Sequence, residues 1–301
     1  MADSMGHQSR WIYQSGSSPR TIDSSSKRVA LSSDTFRKGS SIFFNSGLRG
    51  TRGRNVVQSR FGPNSYAGVW TLEPSYQFLY DFMPLILGGG SNGSYTLAET
   101  LAAFDFMRDE TATVFRYNDV VIDSAVFRGS PGGPLMLQLG LVGLSQSSAE
   151  TFPSGTALAT SAENEPVMVS DLTITMQSAT RYIEDFELGI YHNVRQPLRN
   201  SRDPRANNAG MRVITFNTST PFSSSEMSAL YNQAKDGAAA TLAFVSTTSN
   251  NYSAQFNLRR MQVPSEDPIV AGPDEILLPL SGFINGQGTN LELTASVNLT
   301  A

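Results

Sequence analysis

The sequence predicts a mainly β protein built as two tandem β-sandwich or flattened-barrel domains, each with one flanking α-helix and a long loop or hairpin. Three observations carry that reading. Short runs with period-two alternation recur along the chain; in residues 171–177, Leu172, Ile174 and Met176 alternate with Asp171, Thr173, Thr175 and Gln177. An ordered set of features occurs twice, in residues 45–90 and again in 192–237: an arginine-studded turn region, a strand, then a short helix closed by glycine. Neither half alternates strand, helix and strand in the parallel manner, which excludes a dinucleotide-binding fold.

Length alone allows two ordinary domains or one large β domain in 301 residues, and the repeat favours two. We place an N-terminal arm at 1–38, a first domain at 39–145, a linker at 146–168 and a second domain at 169–301. Hydrophobic residues make up 40% and charged residues only 16%, so much of the surface falls to Ser, Thr, Asn and Gln, which suits protein contacts. Cysteine is absent, which excludes disulfides and cysteine-rich metal sites. The formal net charge of -4 argues against a dedicated nucleic-acid binder. Lysine occurs only as Lys27, Lys38 and Lys235; every other basic residue is arginine, whose planar fork favours carboxylate pairs at interfaces. Residues 1–14 are polar and no run of eighteen apolar residues occurs, so a cytoplasmic product is expected.

In chain order, residues 1–38 are serine-rich with few apolar anchors, chiefly Trp11, Ile12, Tyr13, Ile22, Val29 and Leu31; if ordered, this arm is expected to lie on a neighbour. Ile42, Phe43 and Phe44 read as a strand entering the first arginine turn and residues 68–72 as the strand leaving it, with an extended loop or long hairpin between. A helix follows from Pro74 through Tyr76, Phe78, Leu79, Phe82 and Met83, stopped by Gly88, Gly89 and Gly90, with Pro84 as a site of kinking. Residues 103–108, 113–117 and 120–127 read as three strands and 134–144 as a fourth. Residues 145–165, with almost no apolar anchor, read as the linker.

The second half alternates more cleanly. Residues 171–177 and 185–190 read as a hairpin. After the second arginine loop and the strand at 210–216, Ser223 to Glu226 is a capping box that opens a helix through Met227, Leu230, Tyr231 and Ala234, with Gly237 just beyond. Strands follow at 239–247, 252–263 and 275–284, and residues 290–299 read as an edge or hairpin strand with one wet side.

Catalytic chemistry finds little support. His7 and His192 are the only histidines and sit apart, so neither a metal cluster nor a serine–histidine pair is indicated, and the glycine-rich stretches lack a phosphate-loop lysine. No enzyme activity and no cofactor are expected. The positive signal is the arginine set, Arg49, Arg52, Arg54 and Arg60 in the first half and Arg195, Arg199, Arg202 and Arg205 in the second. A solvated loop, a nucleic-acid groove and arms engaging a partner subunit all compete for it; the scarcity of interleaved aromatics disfavours the groove, and arginine–carboxylate forks favour the arms. By alternation Asp171, Asp185, Glu187 and Glu292 lie on polar faces of strands.

Gly50-Thr51-Arg52 through Arg60, Gly62, Gly68 and Leu72-Glu73-Pro74-Ser75, followed by the Phe78-Leu79 helix and Gly88-Gly89, resembles the two-domain tail tube proteins of long-tailed bacteriophages. The run from Asp185 to Arg195 strengthens the resemblance, which spans residues 32–299. It implies a virion structural protein, assembled in the host cytoplasm, whose inner strands join those of neighbouring copies into a barrel around a lumen. Rings stack, with loops and arms reaching between them, and two units per chain imply rings of three chains with pseudo-sixfold symmetry. Implied partners are further copies, the tape measure, and the terminator and distal tail proteins, with DNA passing through a non-adhesive lumen, and the polar faces bearing Asp171, Asp185, Glu187 and Glu292 either line that lumen or face outside water. A carbohydrate-binding or virion-decoration β-sandwich is the alternative; it requires exposed aromatics, and Trp70 falls inside a predicted strand.

Overall fold

Strand pairing accounts for most of the backbone hydrogen bonding in the computed structural model, which describes residues 9–16, 20–44, 59–148, 150–153, 165–176, 179–221, 238–246, 252–262, 276–286 and 292–299. The first half contains β1 (Arg10–Ser15), β2 (Lys27–Val29), β3 (Ser33–Asp34), β4 (Arg37–Phe44), β5 (Ser59–Leu72), α1 (Tyr76–Leu87), β6 (Gly88–Ser91), β7 (Ser94–Leu97), β8 (Phe104–Asp109), β9 (Val114–Gly129), β10 (Met136–Val142) and β11 (Ser145–Ser148). The second contains β12 (Leu172–Met176), β13 (Ala179–Arg181), β14 (Phe186–Tyr191), β15 (Val213–Pro221), β16 (Ala238–Val245), β17 (Ser253–Gln262), β18 (Leu277–Asn285) and β19 (Leu293–Asn298). The tip of the first arginine turn, residues 45–58, and the helix expected after Ser223 lie outside the described residues.

The two halves share one pairing scheme. In the first, β1 pairs with β2 and β8, β8 with β9, β9 with β10 and β11, and β5 with β4 and β10. In the second, β12 pairs with β13 and β16, β16 with β17, β17 with β18 and β19, and β15 with β14 and β18. An irregularity recurs as well: the register shifts between Phe104 and Phe106 against β9, and between Ala238 and Ala240 against β17.

Between the halves, β14 pairs with the C-terminal part of β9 along Phe186–Tyr191, and β19 pairs with β7. One antiparallel sheet therefore runs β4–β5–β10–β9–β14–β15–β18. Its alternation sorts the side chains onto two faces. Leu137, Leu139, Phe127, Ala125, Leu188, Ile190, Ile214, Phe216, Leu278 and Leu280 are buried on one face, in a single cluster to which both halves contribute. Trp70 is 0% exposed and meets Phe106 edge-on at 4.8 Å, with Phe104 and Phe82 also within 6.4 Å.

Several expectations are corrected. Residues 113–117 and 120–127 form one strand, β9, because the break at Asp119, with φ 51°, bends the chain without ending it. The expected hairpin of residues 171–177 with 185–190 does not form; β12 pairs with β13 and β16, and β14 with β9 and β15. The strand near the C-terminus is no edge, since β19 is paired on both sides, with β17 and β7. Ser145–Ser148, read as the start of a linker, is β11 and pairs with β9.

The N-terminal arm folds on its own chain. Tyr13, Val29 and Phe36 enter the main core, and β1 pairs along six residues of β8. Its few apolar anchors are supplemented by ion pairs: Arg20 Nη1 reaches Asp105 at 3.0 Å and Asp119 at 2.9 Å, and Arg10 Nε donates to Asp109 at 3.1 Å. Where β3 runs into β4 the backbones come close: a Cβ on Gly68 would stand 2.1 Å from Phe36 Cα, so only glycine fits there.

Helix α1 starts two residues later than expected. Ser75, in extended conformation, is its N-cap and accepts from Phe78 N–H at 3.1 Å, while Pro74 lies outside. Gly88, at φ 86°, ends it and donates its N–H to Pro84 O. The helix is apolar nearly all round, and it packs against β9 of its own half and against β17 and β19 of the other. Pro84 lies inside it and has no N–H for Tyr80 O. That carbonyl instead accepts the Tyr95 hydroxyl at 2.7 Å, and burial pushes the Tyr95 hydroxyl up to about 12, so it remains a donor at neutral pH.

Tyr95→Phe is expected to cost about 1–2 kcal/mol by leaving a carbonyl unsatisfied. In a Pro84→Ala background the restored amide takes over, so the cost of the tyrosine change shrinks; a double-mutant cycle by chemical denaturation measures this.

Candidate assembly surface

The second arginine region, residues 192–212, is strapped across the first half by hydrogen bonds that begin at its first residue. His192 N–H donates to Asp123 O at 2.7 Å and Val194 N–H to Asp123 Oδ1 at 2.6 Å. Gln196 Nε2 reaches Gly143 O at 2.8 Å, and Asn207 Nδ2 reaches Asp119 O at 2.7 Å. Farther along, the strap meets the edge of β5 that extends past β10. Asn64 N–H donates to Arg202 O at 2.7 Å, and Asp203 Oδ1 accepts from Asn64 Nδ2 at 2.7 Å and Tyr66 Oη at 2.6 Å. These two hydrogen bonds hold the Asp203 carboxyl below the usual carboxylate range, and burial, then Asp203, push the Tyr66 hydroxyl up to about 12.

Anchored in this way, the strap turns Arg195, Arg199, Arg202 and Arg205 outward, and all four are exposed. The guanidinium of Arg202 lies 5.4 Å from the Phe61 ring centroid on the first hairpin, so the second arginine region touches the strand that leaves the first. Arg60 is exposed on β5 opposite Phe43. Arg49, Arg52 and Arg54 lie outside the described residues. Around these cations the hairpin also exposes Phe43 at 62%, Phe61 at 61% and Ile42 at 52%.

Two of the four carboxylates come together. Glu187 lies on the open face of the seven-stranded sheet, in a register row that runs Met136, Arg128, Glu187, Asn217, Ser281. Arg128 Nε donates to its Oε2 at 2.6 Å, an exposed pair worth about 0–1 kcal/mol. Asp185, at the end of β14, accepts from Ser219 Oγ at 2.8 Å. With Asn217 and Ser281 these residues line an open groove of about 600 Å³. Asp171 instead ends a 3₁₀ turn, Val169–Asp171, and Glu292 pairs with Arg212 Nη2 at 3.2 Å.

His192 is 2% exposed, and its Nε2 lies 2.7 Å from Ile86 O, a contact that requires the Nε2–H tautomer to donate. Burial holds its pKa below the ordinary value. Spacing did not reveal the strap's own fixings, Asp123, Asp203, Asn64 and Tyr66, because each bond spans more than 70 residues of chain.

A sheet with one apolar and one mixed face, an outer edge on β4 without a strand partner among the described residues, and a fringe of exposed arginine and aromatic side chains mark a β-rich structural protein. Comparison with known families agrees: residues 46–298 match the model described as phage tail tube protein. The chain belongs to the phage tail tube protein family, a family of structural tail components. No curated protein matches the sequence.

Two outcomes are expected. Because the His192 pKa is lower folded than unfolded, the unfolded chain binds its proton first, so this residue's share of stability is full above about 6.5 and falls as pH drops below it. Thermal unfolding of His192→Gln between pH 7.5 and 5 should show a shallower loss than wild type. Asp203→Ala should free the strap: hydrogen bonds to a charged group contribute roughly 1.5–3 kcal/mol, so trypsin cleavage after Arg199, Arg202 or Arg205 should quicken about tenfold or more.

Proposed function

We propose that this chain is the repeating subunit of a phage tail tube: copies close into rings, rings stack, and the resulting lumen conducts the genome into the host. The observation that carries the reading is the seven-stranded sheet, apolar on one face, mixed on the other with a row of polar side chains at Arg128, Glu187, Asn217 and Ser281, and ending in an unpaired edge at β4 among the described residues. An open edge is a liability in a lone subunit, and closing a ring removes it. Each chain brings two halves of like pairing, so three chains make a ring of six similar units with pseudo-sixfold symmetry.

The open face bearing Glu187 and Asp185 is the proposed lumen lining. Its sparse charge, with Glu187 partly neutralised by Arg128, offers DNA no cationic track, and sticking would oppose transit. Asp171 and Glu292 sit on other elements, so the lumen reading rests on the first two. Arg60, Arg195, Arg199, Arg202 and Arg205 are the proposed subunit contacts, meeting carboxylates of neighbouring copies in an acidic protein. Assembly takes place in the host cytoplasm, and the tape measure, terminator and distal tail proteins are the further partners. The carbohydrate-binding alternative loses its main aromatic candidate, since Trp70 is fully buried.

Negative-stain microscopy with analytical ultracentrifugation across a concentration series tests this. Rings of three chains, or hollow tubes, are the expected outcome, and charge reversal at Arg195, Arg199 and Arg205 should raise the assembly concentration without lowering the melting temperature. A strictly monomeric protein that binds a glycan would transfer the reading to the alternative.

A further inference from the structure

We propose that the outer edge of β3–β4, residues 34–39, seats the second half of another copy of this chain, and that Lys38 guards that edge before assembly. The inference rests on the ring reading above and adds the residues that form the joint.

The internal repeat supplies the template. The shared register shift makes Val120 of β9 the counterpart of Met261 of β17. One residue on, Val121 faces Val142 and Gln262 faces Phe283, so Val142 corresponds to Phe283. Val142 faces Ala67 and Phe283 faces Thr215; Ala67 in turn faces Arg37, and Thr215 faces Gly189. Arg37 therefore corresponds to Gly189, and Lys38 to Ile190. The core agrees with this alignment, for Phe36 then corresponds to Leu188, and both are 0% exposed.

In the second half the outer edge of this strand is covered. Ile190 faces Ala125 of β9, the joint that holds the two halves together, and it is fully buried. The matching edge in the first half has no strand partner among the described residues. Thr35 N–H bonds Val69 O at 3.0 Å, so by ladder alternation the amides of Phe36 and Lys38 point away from β5. At Phe36 the edge is capped by its own chain, since Asp34 Oδ1 accepts from its N–H at 2.7 Å and its carbonyl accepts from Arg108 Nη1 at 2.8 Å, which leaves the Lys38 amide for a neighbour. A ring of identical chains that repeats the within-chain joint places the second half of the next copy at this edge.

The two joints differ in one respect. Lysine stands where the covered joint has isoleucine, and its ammonium rests 5.9 Å from the Tyr66 ring centroid at the exposed rim. A charged residue on an open edge discourages pairing, so the joint between chains is weaker than the joint within a chain. Free copies stay apart until a growing ring or tube adds further contacts.

Two substitutions in this cysteine-free chain, assayed by analytical ultracentrifugation and negative-stain microscopy, test the inference in opposite directions. Lys38→Pro deletes the outward N–H while sparing the β4–β5 ladder. It should keep the wild-type melting temperature and stay monomeric where wild type forms rings. Lys38→Ile, which copies the covered joint, should form rings at roughly tenfold lower concentration, equivalent to about 1.4 kcal/mol. Lys38→Pro assembling like wild type, or Lys38→Ile leaving the threshold unchanged, would overturn the assignment. Should the proline lower the melting temperature, the isoleucine result decides alone. Absence of rings from both wild type and Lys38→Ile would remove the ring reading itself, and this inference with it.

Discussion

Strand β9 must satisfy backbone hydrogen bonds in two layers at once, and the rest of the molecule depends on how it bends. Its first part pairs with β8 and β11, its second with β10 and β14. The bend falls at Asp119, a non-glycine residue at positive φ whose backbone groups leave the ladder and need other partners. Its N–H donates to Asp105 Oδ1 at 2.9 Å, its carbonyl accepts from Asn207 at 2.7 Å, and its carboxylate receives Arg20 at 2.9 Å. The N-terminal arm, strand β8 and the arginine strap thus all converge on one residue.

Charge is handled in two ways. Arg20 and Asp105 have side chains only 7% and 5% exposed, and such burial is tolerable because each has several partners: Arg116 adds a second cation to Asp105 at 3.0 Å, and Gly16 O accepts from Arg20 at 2.9 Å. Breaking one member would strand the others. By contrast, Arg195, Arg199 and Arg205 of the strap stay exposed and keep their solvation, while Arg202 lies against Phe61 and donates to Gly62 O at 3.4 Å.

The open face of the sheet follows from the same economy of pairing. Because β9 carries β10 on one side and β14 on the other, strands of both halves join in one surface with one pleat parity, and residues far apart in sequence fall into a single polar row. That row borders the open groove of about 600 Å³ and holds the Arg128–Glu187 pair. The edges that flank it fit self-association for the reason that makes edge strands hazardous in isolation.

Much of this was readable before any coordinates. Period-two alternation located most strands, Ser75 and Gly88 bracket a helix whose apolar run is plain, and the recurrence of arginine turn, strand and helix pointed to the repeat and to the family. What the sequence could not show is which strand pairs with which. Alternation assigns a residue to a face but says nothing of its neighbour, so β14 passed for a hairpin partner of β12 and β19 for an edge. Asn118-Asp119 read as a break because a polar pair looks alike in a turn and in a bent strand. The arm looked unattached because its anchors are ions whose partners lie 85 to 99 residues away. Likewise the arginines were legible as a set, while Asp203, Tyr66 and Asn64, which aim them, were not. The sequence by itself determined the class of secondary structure, the duplication and the chemistry of the surface, since those depend on local pattern. Only the tertiary structure decided the joint between the halves, the fixing of the strap and the edge left open, since those depend on long-range hydrogen bonds whose partners no local pattern names.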